Sequence, residues 1–402
     1  MIRKILLLKE EGCIWTYLIE NGDIVEIHPS PLLESKDPQI MLGNIYIGKV
    51  QNIAANIGAA FVDIGGVNCY YDVSQAAHAI FTNKAGKKPL CIGDELLVQI
   101  SREAVKTKAP TVSSNISLTG RYAVLTSGNT RIGVSSKLTK ALRESYKEKL
   151  QDWKSEDYGI IVRTNAKEVP LDTVLHEITQ LKEHFYQLKK TASSRTCYSC
   201  LYAAAKPYLL DLKNVYAEGL SEILVEDHAL YEEILGYSQR EQPEFAEKLQ
   251  LYENPSFSLS KLYSTETVLE HALREHVWLK HGGYLIIQPT EALTVIDVNS
   301  GKCVSKKQKA DGFLQMNLEA AKEIAKQIRL RNLSGIIIVD FINMERPEET
   351  QKLLAEFRKA LSMDPIQTTL VDVTGLQLVE ITRKKLRKPL HEYWKNRGNG
   401  HE

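Results

Sequence analysis

Over the first third of the chain apolar and polar residues alternate in short runs, whereas further on the apolar positions recur at helical spacing. Lys4 to Leu8 and Trp15 to Glu20 read as strands, separated by Glu11-Gly12 and closed by Asn21-Gly22. A loop-like stretch from Pro29 to Pro38 follows. Then come β-type runs at Ile45 to Val50, Ala59 to Val62, Cys69 to Val73 and Leu96 to Ile100, punctuated by Gly58, Gly65, Gly66 and Gly93. Short strands with glycine corners predict a small closed barrel, and the OB type among these binds oligonucleotides. Next, strands at Tyr122 to Leu125 and Gly159 to Val162 alternate with helices over Lys137 to Trp153 and Leu171 to Leu188, a small α/β unit. Residues 192–206, rich in Ser, Thr and Ala, read as a connector. A strand at Glu222 to Val225 and a charged helical stretch precede a helix expected over Thr265 to Leu279, with a boundary near residue 275.

The last section reads as strand, helix, strand. Tyr284 to Ile287 and Leu293 to Val298 are strands around a turn containing Pro289. From Asn317, a candidate N-cap, Leu318, Ala321, Ile324, Ala325 and Ile328 mark one helical face, with Gly335 beyond its end and Lys322, Lys326 and Arg329 on the opposite, basic face. Ile336 to Val339 is apolar at every position, as a strand covered on both faces would be. The unit is a parallel βαβ crossover, and a second round follows with a helix over Glu348 to Leu361, Pro347 in its first turn, and a strand at Thr369 to Val373.

Composition narrows the class. With 402 residues, 43% hydrophobic and 25% charged, the chain is expected to fold as two or three globular units. Only four apolar residues, Ile5 to Leu8, stand where a signal peptide needs a longer run, and no stretch approaches a membrane span, so a cytoplasmic protein without membrane association is expected. The 51 basic and 50 acidic residues leave a formal charge of +1, so any polyanion-binding surface must be local. Six cysteines without a secretory leader read as reduced thiols. Cys197 and Cys200 are half a tetrahedral site, so zinc is not expected unless two subunits share it.

Asp297 and Asp340 end two strands of the crossover and should emerge together at the carboxyl edge of the sheet, where open α/β sheets bind ligands. Two such carboxylates repel unless a cation or proton lies between them, and magnesium is commonly held by one or two carboxylates plus substrate phosphates. Strand-end aspartates also serve as turn or helix caps. Asn299 stands beside the first, and Lys302, Lys306, Lys307 and Lys309 make the following loop basic. Ser300-Gly301-Lys302 is not a P-loop, because that motif needs glycine where Ile296 stands. Arg163-Thr164 is a guanidinium with an adjacent hydroxyl, a phosphate fork or a surface ion pair. Arg383, Lys384, Lys385, Arg387, Lys388, Lys395 and Arg397 give a basic tail, and Phe61, Tyr70 and Tyr71 place aromatics in the barrel, where they either stack on bases or pack the core.

The runs GNIYIGKV, AAFVDIG, SLTGRY, IIVRT, EALTVIDVNSGK, NLEAAKEIAKQIRLRNL and GIIIVDFINM together resemble the ribonuclease E/G family, in order from about residue 40 to 390. The resemblance implies an α+β, multi-domain fold. Residues 1–38 and 209–274 would form an RNase H-like subdomain, 39–119 an S1-type OB barrel, 120–208 a 5′-sensor domain and 275–402 a DNase I-like catalytic domain. It implies a magnesium-dependent endoribonuclease, with manganese as an alternative, acting on single-stranded, A/U-rich RNA and stimulated by a 5′-monophosphate. By residue, the resemblance implies Asp297 and Asp340 as metal ligands with Asn299 beside them. Arg163, Thr164 and Val124 would form the 5′-sensor, and Phe61, Tyr71 and Lys108 would contact RNA. The family's Cys-Pro-x-Cys zinc link is not found in PLHEYWKNRGNGHE, so any homodimer is expected not to use it. Lys309-Ala310-Asp311-Gly312, Asn343, and Ser136 with Lys137 also depart from the family pattern. Two other readings stay open: a non-catalytic RNA-binding or ribosome-associated protein of the same fold, and a structural protein assembled through Cys197 and Cys200.

Overall fold

The computed structural model describes residues 2–32, 41–84, 89–102, 109–214, 219–301, 309–344 and 346–393. It separates into two compact units, Met1–Leu32 with Gly219–Glu402, and Leu33–Glu218. Three antiparallel strands open the chain, β1 (Arg3–Glu10), β2 (Cys13–Glu20) and β3 (Asp23–Pro31).

The second unit holds two sheets. β4 (Ile45–Ala54), β5 (Ala59–Asp63), β6 (Asn68–Asp72), β7 (Glu95–Arg102) and β8 (Thr111–Ser113) follow the order β4-β5-β6-β8-β7, and β7 pairs back onto β4. That pairing closes a five-stranded, OB-like barrel. β4 serves both partners by bending, pairing β7 over Ile45 to Lys49 and β5 beyond it. At the bend a Cβ on Gly48 would lie 2.5 Å from Val62 Cγ1, so only glycine fits there. β9 (Ser117–Thr119), β10 (Ala123–Thr126), β11 (Ile132–Val134) and β12 (Gly159–Val162) form the other sheet, in the order β11-β12-β10-β9. Its helices are α1 (Lys140–Lys149) and α2 (Leu171–Ala192). The first begins three residues later than its periodicity suggests, because Thr139 caps it by accepting the Leu142 N–H. β13 (Cys200–Tyr202) pairs with β4, and α3 (Pro207–Asn214) follows.

The first unit resumes with β14 (Leu220–Val225), α4 (His228–Glu241), α5 (Pro243–Ala246), β15 (Leu249–Leu251), α6 (Leu259–Tyr263) and α7 (Thr265–Leu273). One sheet has the order β15-β14-β1-β2-β3, with β1, β14 and β15 parallel. The expected helix to Leu279 stops at Leu273. Arg274 is extended, and His276–Trp278 forms β16, an edge strand of the next sheet. That sheet continues with β17 (Tyr284–Pro289), β18 (Leu293–Asn299), α8 (Lys309–Leu330), β19 (Gly335–Asp340), α9 (Pro347–Ser362), β20 (Thr368–Val373) and β21 (Val379–Arg383). Its order is β16-β17-β18-β19-β21-β20; β18 and β19 run parallel, and β21 inserts antiparallel between β19 and β20.

Several expectations for this region change. Ala320, Ala321, Ile324 and Ile328 of α8 and Leu353, Phe357 and Leu361 of α9 pack on Leu285, Ile287, Ile296, Val298, Ile337, Val339 and Ile381. β19 is therefore not covered on both faces: Ile337 and Val339 are buried, whereas Ile336 is exposed on the other side. Asn317 is not an N-cap but a buried residue within α8. Its Nδ2 donates to the Ile342 carbonyl (2.7 Å) and its Oδ1 accepts the Ile342 N–H (3.1 Å). The helix ends at Leu330, and the left-handed residue just past it is Asn332 (φ 49°) rather than Gly335, with the Leu333 N–H returning to the Ile328 carbonyl. The basic face of α8 docks on the first sheet, with Lys326 bound to Asp23 and Arg329 seated between Glu20 and Glu26.

Candidate active site

In the parallel pair β18 and β19, Asp297 and Asp340 are direct register partners. Adjacent strands lie about 4.8 Å apart, so the two side chains stand as neighbours on one face. It is the open face, opposite the helices: Asp297 is half-buried and Asp340 exposed, while the intervening Ile296, Val298 and Val339 enter the core. Asn299 shares that face and its Nδ2 donates to Asp297 Oδ2 at 2.7 Å, holding the carboxylate by one oxygen. The Asn317 clamp on Ile342 anchors the chain two residues after Asp340. The donor set is two hard oxygen groups side by side, which suits a magnesium- or manganese-type cation that keeps waters and takes phosphate oxygens. Among the described residues no group of three or more His, Cys, Asp or Glu side chains forms a metal cage. Lys302, Lys306 and Lys307 lie outside the described residues.

Arg163 and Thr164 lie in the second unit, just beyond β12. Alternation puts Arg163 on the face of Ile161, which pairs with Val124, so Arg163 and Val124 share a face. The Arg163 backbone N–H donates to the Tyr122 carbonyl and its Nη1 to the Gly120 carbonyl (2.7 Å), which fixes the guanidinium over the start of β10. Thr164 Oγ1 shares a 2.8 Å hydrogen bond with Ser135 Oγ, and the Lys137 N–H reaches the same hydroxyl. The 120–123 turn is held from α2, where the Glu177 carboxylate accepts the N–H groups of Arg121, Tyr122 and Ala123, each at 2.8 Å. Sequence periodicity gave no sign of Glu177, because a carboxylate on a helix face reads as solvated. Replacing it with alanine orphans three partly buried donors and should cost about 2 kcal/mol. Hydrogen exchange of the amides of 121–123 should accelerate strongly, and unchanged protection there would exclude the role.

The barrel aromatics divide. Phe61 is half-buried on the outer face, but Tyr71 is completely buried and its hydroxyl hydrogen-bonds Ser114 at 2.8 Å. Tyr71 is therefore a core residue and not an RNA contact. Register pairs Phe61 with Tyr70 across the β5–β6 hairpin, so Tyr70 is the aromatic that shares the Phe61 face. Symmetry about the Gly65-Gly66 turn could have singled it out. Lys108 lies outside the described residues.

Arg383 is likewise a core residue. It is buried, with Nε on Asp364 (2.7 Å) and Nη1 on Asn332 Oδ1 (2.7 Å), so it ties β21 to the end of α8 and is not available to a polyanion. Lys384 is exposed. Cys200 starts the strand that pairs with β4, and burial raises the Cys197 thiol above its ordinary value. No helix among the described residues is long and apolar enough to cross a membrane.

The model of the ribonuclease E/G family matches residues 117–386. The chain is 32% identical to ribonuclease G of Salmonella typhimurium (strain SL1344) over 387 residues, 92% of this chain and 77% of that protein. Ribonuclease E of Synechocystis sp. is 32% identical over 87% of this chain and 53% of its own length, and the ribonuclease E/G-like protein of Porphyra purpurea 32% over 89% and 71%. The family model and these likenesses cover most of its length, and the chain belongs to the ribonuclease E/G family.

Proposed function

We propose that this protein is a cytoplasmic endoribonuclease that cleaves single-stranded, A/U-rich RNA in rRNA and mRNA processing and decay, leaving a 5′-phosphate and a 3′-hydroxyl. The observation that carries the reading is the in-register pair Asp297 and Asp340 on the open face of its sheet. The order β3-β2-β1-β14-β15 supports an RNase H-like subdomain, the closed barrel an S1-type module, the β11-β12-β10-β9 sheet a 5′-sensor, and the sheet of β16 to β21 a DNase I-like domain.

Asp297 and Asp340 would hold a divalent ion, which when bound supplies charge to the scissile phosphate and lowers the pKa of a bound water. The protein contributes position. Asn299 keeps Asp297 turned to the open face, and Asn317 fixes the segment after Asp340, so neither carboxylate has to reorganise as charge develops. Arg163 and Thr164 together offer guanidinium and hydroxyl donors to a terminal phosphate, and Val124 on the same face offers an apolar surface to the first base. The outer face of Phe61 and Tyr70 suits stacking on bases further along the strand.

The test compares one A/U-rich RNA bearing a 5′-monophosphate or a 5′-triphosphate, in magnesium. Cleavage of the monophosphate form should be about tenfold faster, the size that one or two charge-assisted hydrogen bonds give. Arg163→Ala should erase that preference and leave the slower rate unchanged. Equal rates on the two RNAs in the unaltered protein would remove the sensor from the reading, and binding without any cleavage in magnesium or manganese would replace the enzyme with an RNA-binding protein.

A further inference from the structure

The open face of the carboxylate sheet does not stop at the two aspartates. β16 pairs with β17 so that Trp278 faces Tyr284, and β17 pairs with β18 so that Tyr284 faces Asn299. Cross-strand partners point to the same side, so Trp278, Tyr284, Asn299, Asp297 and Asp340 share one face across four strands. The Trp278 and Tyr284 ring centroids are 5.3 Å apart at 57°, and the His276 ring, two residues before Trp278 on β16, lies 5.6 Å from that of Tyr284. Trp278 is 72% exposed, an unusual position for a large apolar ring, whereas its neighbour Val277 packs into the core beneath the sheet.

This edge is held in place. The Lys280 N–H donates to Glu319 on α8 (2.6 Å) and His281 Nδ1 hydrogen-bonds the same carboxylate. The Leu279 N–H closes the turn onto the Gly283 carbonyl, and a Cβ on Gly283 would come within 2.8 Å of the Asn299 carbonyl oxygen. The turn therefore packs against the backbone of the strand that carries Asp297, which fixes the backbone next to the rings relative to that strand. Trp278 sits two strands from β18, roughly 10 Å away at ordinary strand spacing. An exposed indole face beside a tilted tyrosine ring at that distance from a phosphate-directed site, with the exposed Lys280 two residues on, matches a nucleobase whose backbone continues into the site.

We propose that Trp278 and Tyr284 form a stacking ledge for the base of a nucleotide next to the scissile phosphate, and that this ledge selects which phosphodiester bond meets Asp297 and Asp340. The inference rests on the endoribonuclease reading and adds positioning residues to it. Stacking is tolerant of base identity because every base has a π-face, so the ledge sets register along the strand rather than sequence.

The test uses the full chain and a short single-stranded RNA cleaved at one bond, together with the same RNA made abasic at each position flanking that bond. Trp278→Ala should raise KM about tenfold with little change in kcat, and should spread cleavage to neighbouring bonds, while Trp278→Phe restores both. One abasic position should cost the unaltered protein a similar factor, and that cost should vanish in Trp278→Ala, since the two changes remove one contact. An abasic cost that is undiminished in Trp278→Ala overturns the ledge. So does a loss of dimer in sedimentation with KM unchanged, which would assign the face to a second copy of the chain. In the Asp297→Asn background without metal, 2-aminopurine at the sensitive position should still be quenched on binding and lose that quenching with Trp278→Ala. Quenching that persists through Trp278→Ala overturns the ledge by itself, and undiminished cleavage by Asp297→Asn overturns the carboxylate assignment instead.

Discussion

Asp297→Asn should lower kcat for RNA cleavage about 10^3-fold, near 4 kcal/mol of transition-state stabilisation, with RNA affinity within about twofold of the unaltered protein. The substitution keeps size and hydrogen-bonding capacity, so the β18 ladder to β17 and β19 survives and Asn299 retains a partner. What disappears is one of two negative charges facing the same point. Asp340→Asn should have an effect of the same order, and the double variant should be little worse than either alone, because both residues act through one ion. Single-turnover rates at saturating RNA, with binding measured separately, decide the matter. A rate within tenfold of the unaltered value would move the chemistry away from this pair.

Arg329→Met should destabilise the first unit by about 3–5 kcal/mol, the range for removing one member of a buried charge network. Arg329 donates to Glu26 (2.7 Å) and Glu20 (3.3 Å), Glu20 also takes Arg3 at 3.2 Å, and His28 lies 3.3 Å from Glu26. Burial works to raise the Glu26 carboxyl, yet the His28 imidazole and the Arg329 guanidinium outweigh it and hold it down at about 2. A depressed carboxyl stabilises the fold above its unfolded value, near 4.5, and that contribution is lost as pH falls from there toward 2. Urea midpoints should therefore drop steeply between pH 4.5 and 3 in the unaltered protein, and more shallowly in Glu26→Gln. Equal acid slopes in the two proteins would show that Glu26 titrates normally.

The sequence was most legible where local pattern and tertiary setting agree. The strand–helix–strand around Asp297 and Asp340 and the glycine-cornered barrel strands follow from short-range periodicity and fall in elements of the structure. Misreadings arose where distant contacts decide. Ile336 to Val339 reads as doubly covered because apolar content does not say that α8 and α9 lie on the same side. Asn317 reads as a cap because its partner, the backbone of Ile342, is 25 residues away. Arg329 reads as part of a basic helix face and Arg383 as part of a basic tail because their carboxylates, Glu26 and Asp364, come from distant parts of the chain. Tyr71 and Tyr70 are adjacent in sequence and on opposite faces of one strand, so only the hairpin register distinguishes a core ring from a surface one. Trp278 was lost inside an expected helix, since a three-residue edge strand carries too few positions to show a period of two.

The pairing of β13 with β4 gives Cys197 and Cys200 a different meaning from the one their spacing suggests. β4 pairs with β7 over Ile45 to Lys49 but with β5 only from Lys49 onward, so β5 leaves the other edge of β4 beside Tyr46 and Ile47 uncovered. The 196–202 segment covers them: the Tyr198 N–H donates to the Ile47 carbonyl, the Ile47 N–H to Ser199, and Cys200 aligns with Tyr46. An uncovered stretch of strand edge is a template for another chain, so this short cysteine-bearing ribbon guards the barrel against edge-to-edge aggregation. Its contribution would show less in the melting temperature than in the concentration at which the protein stays dispersed.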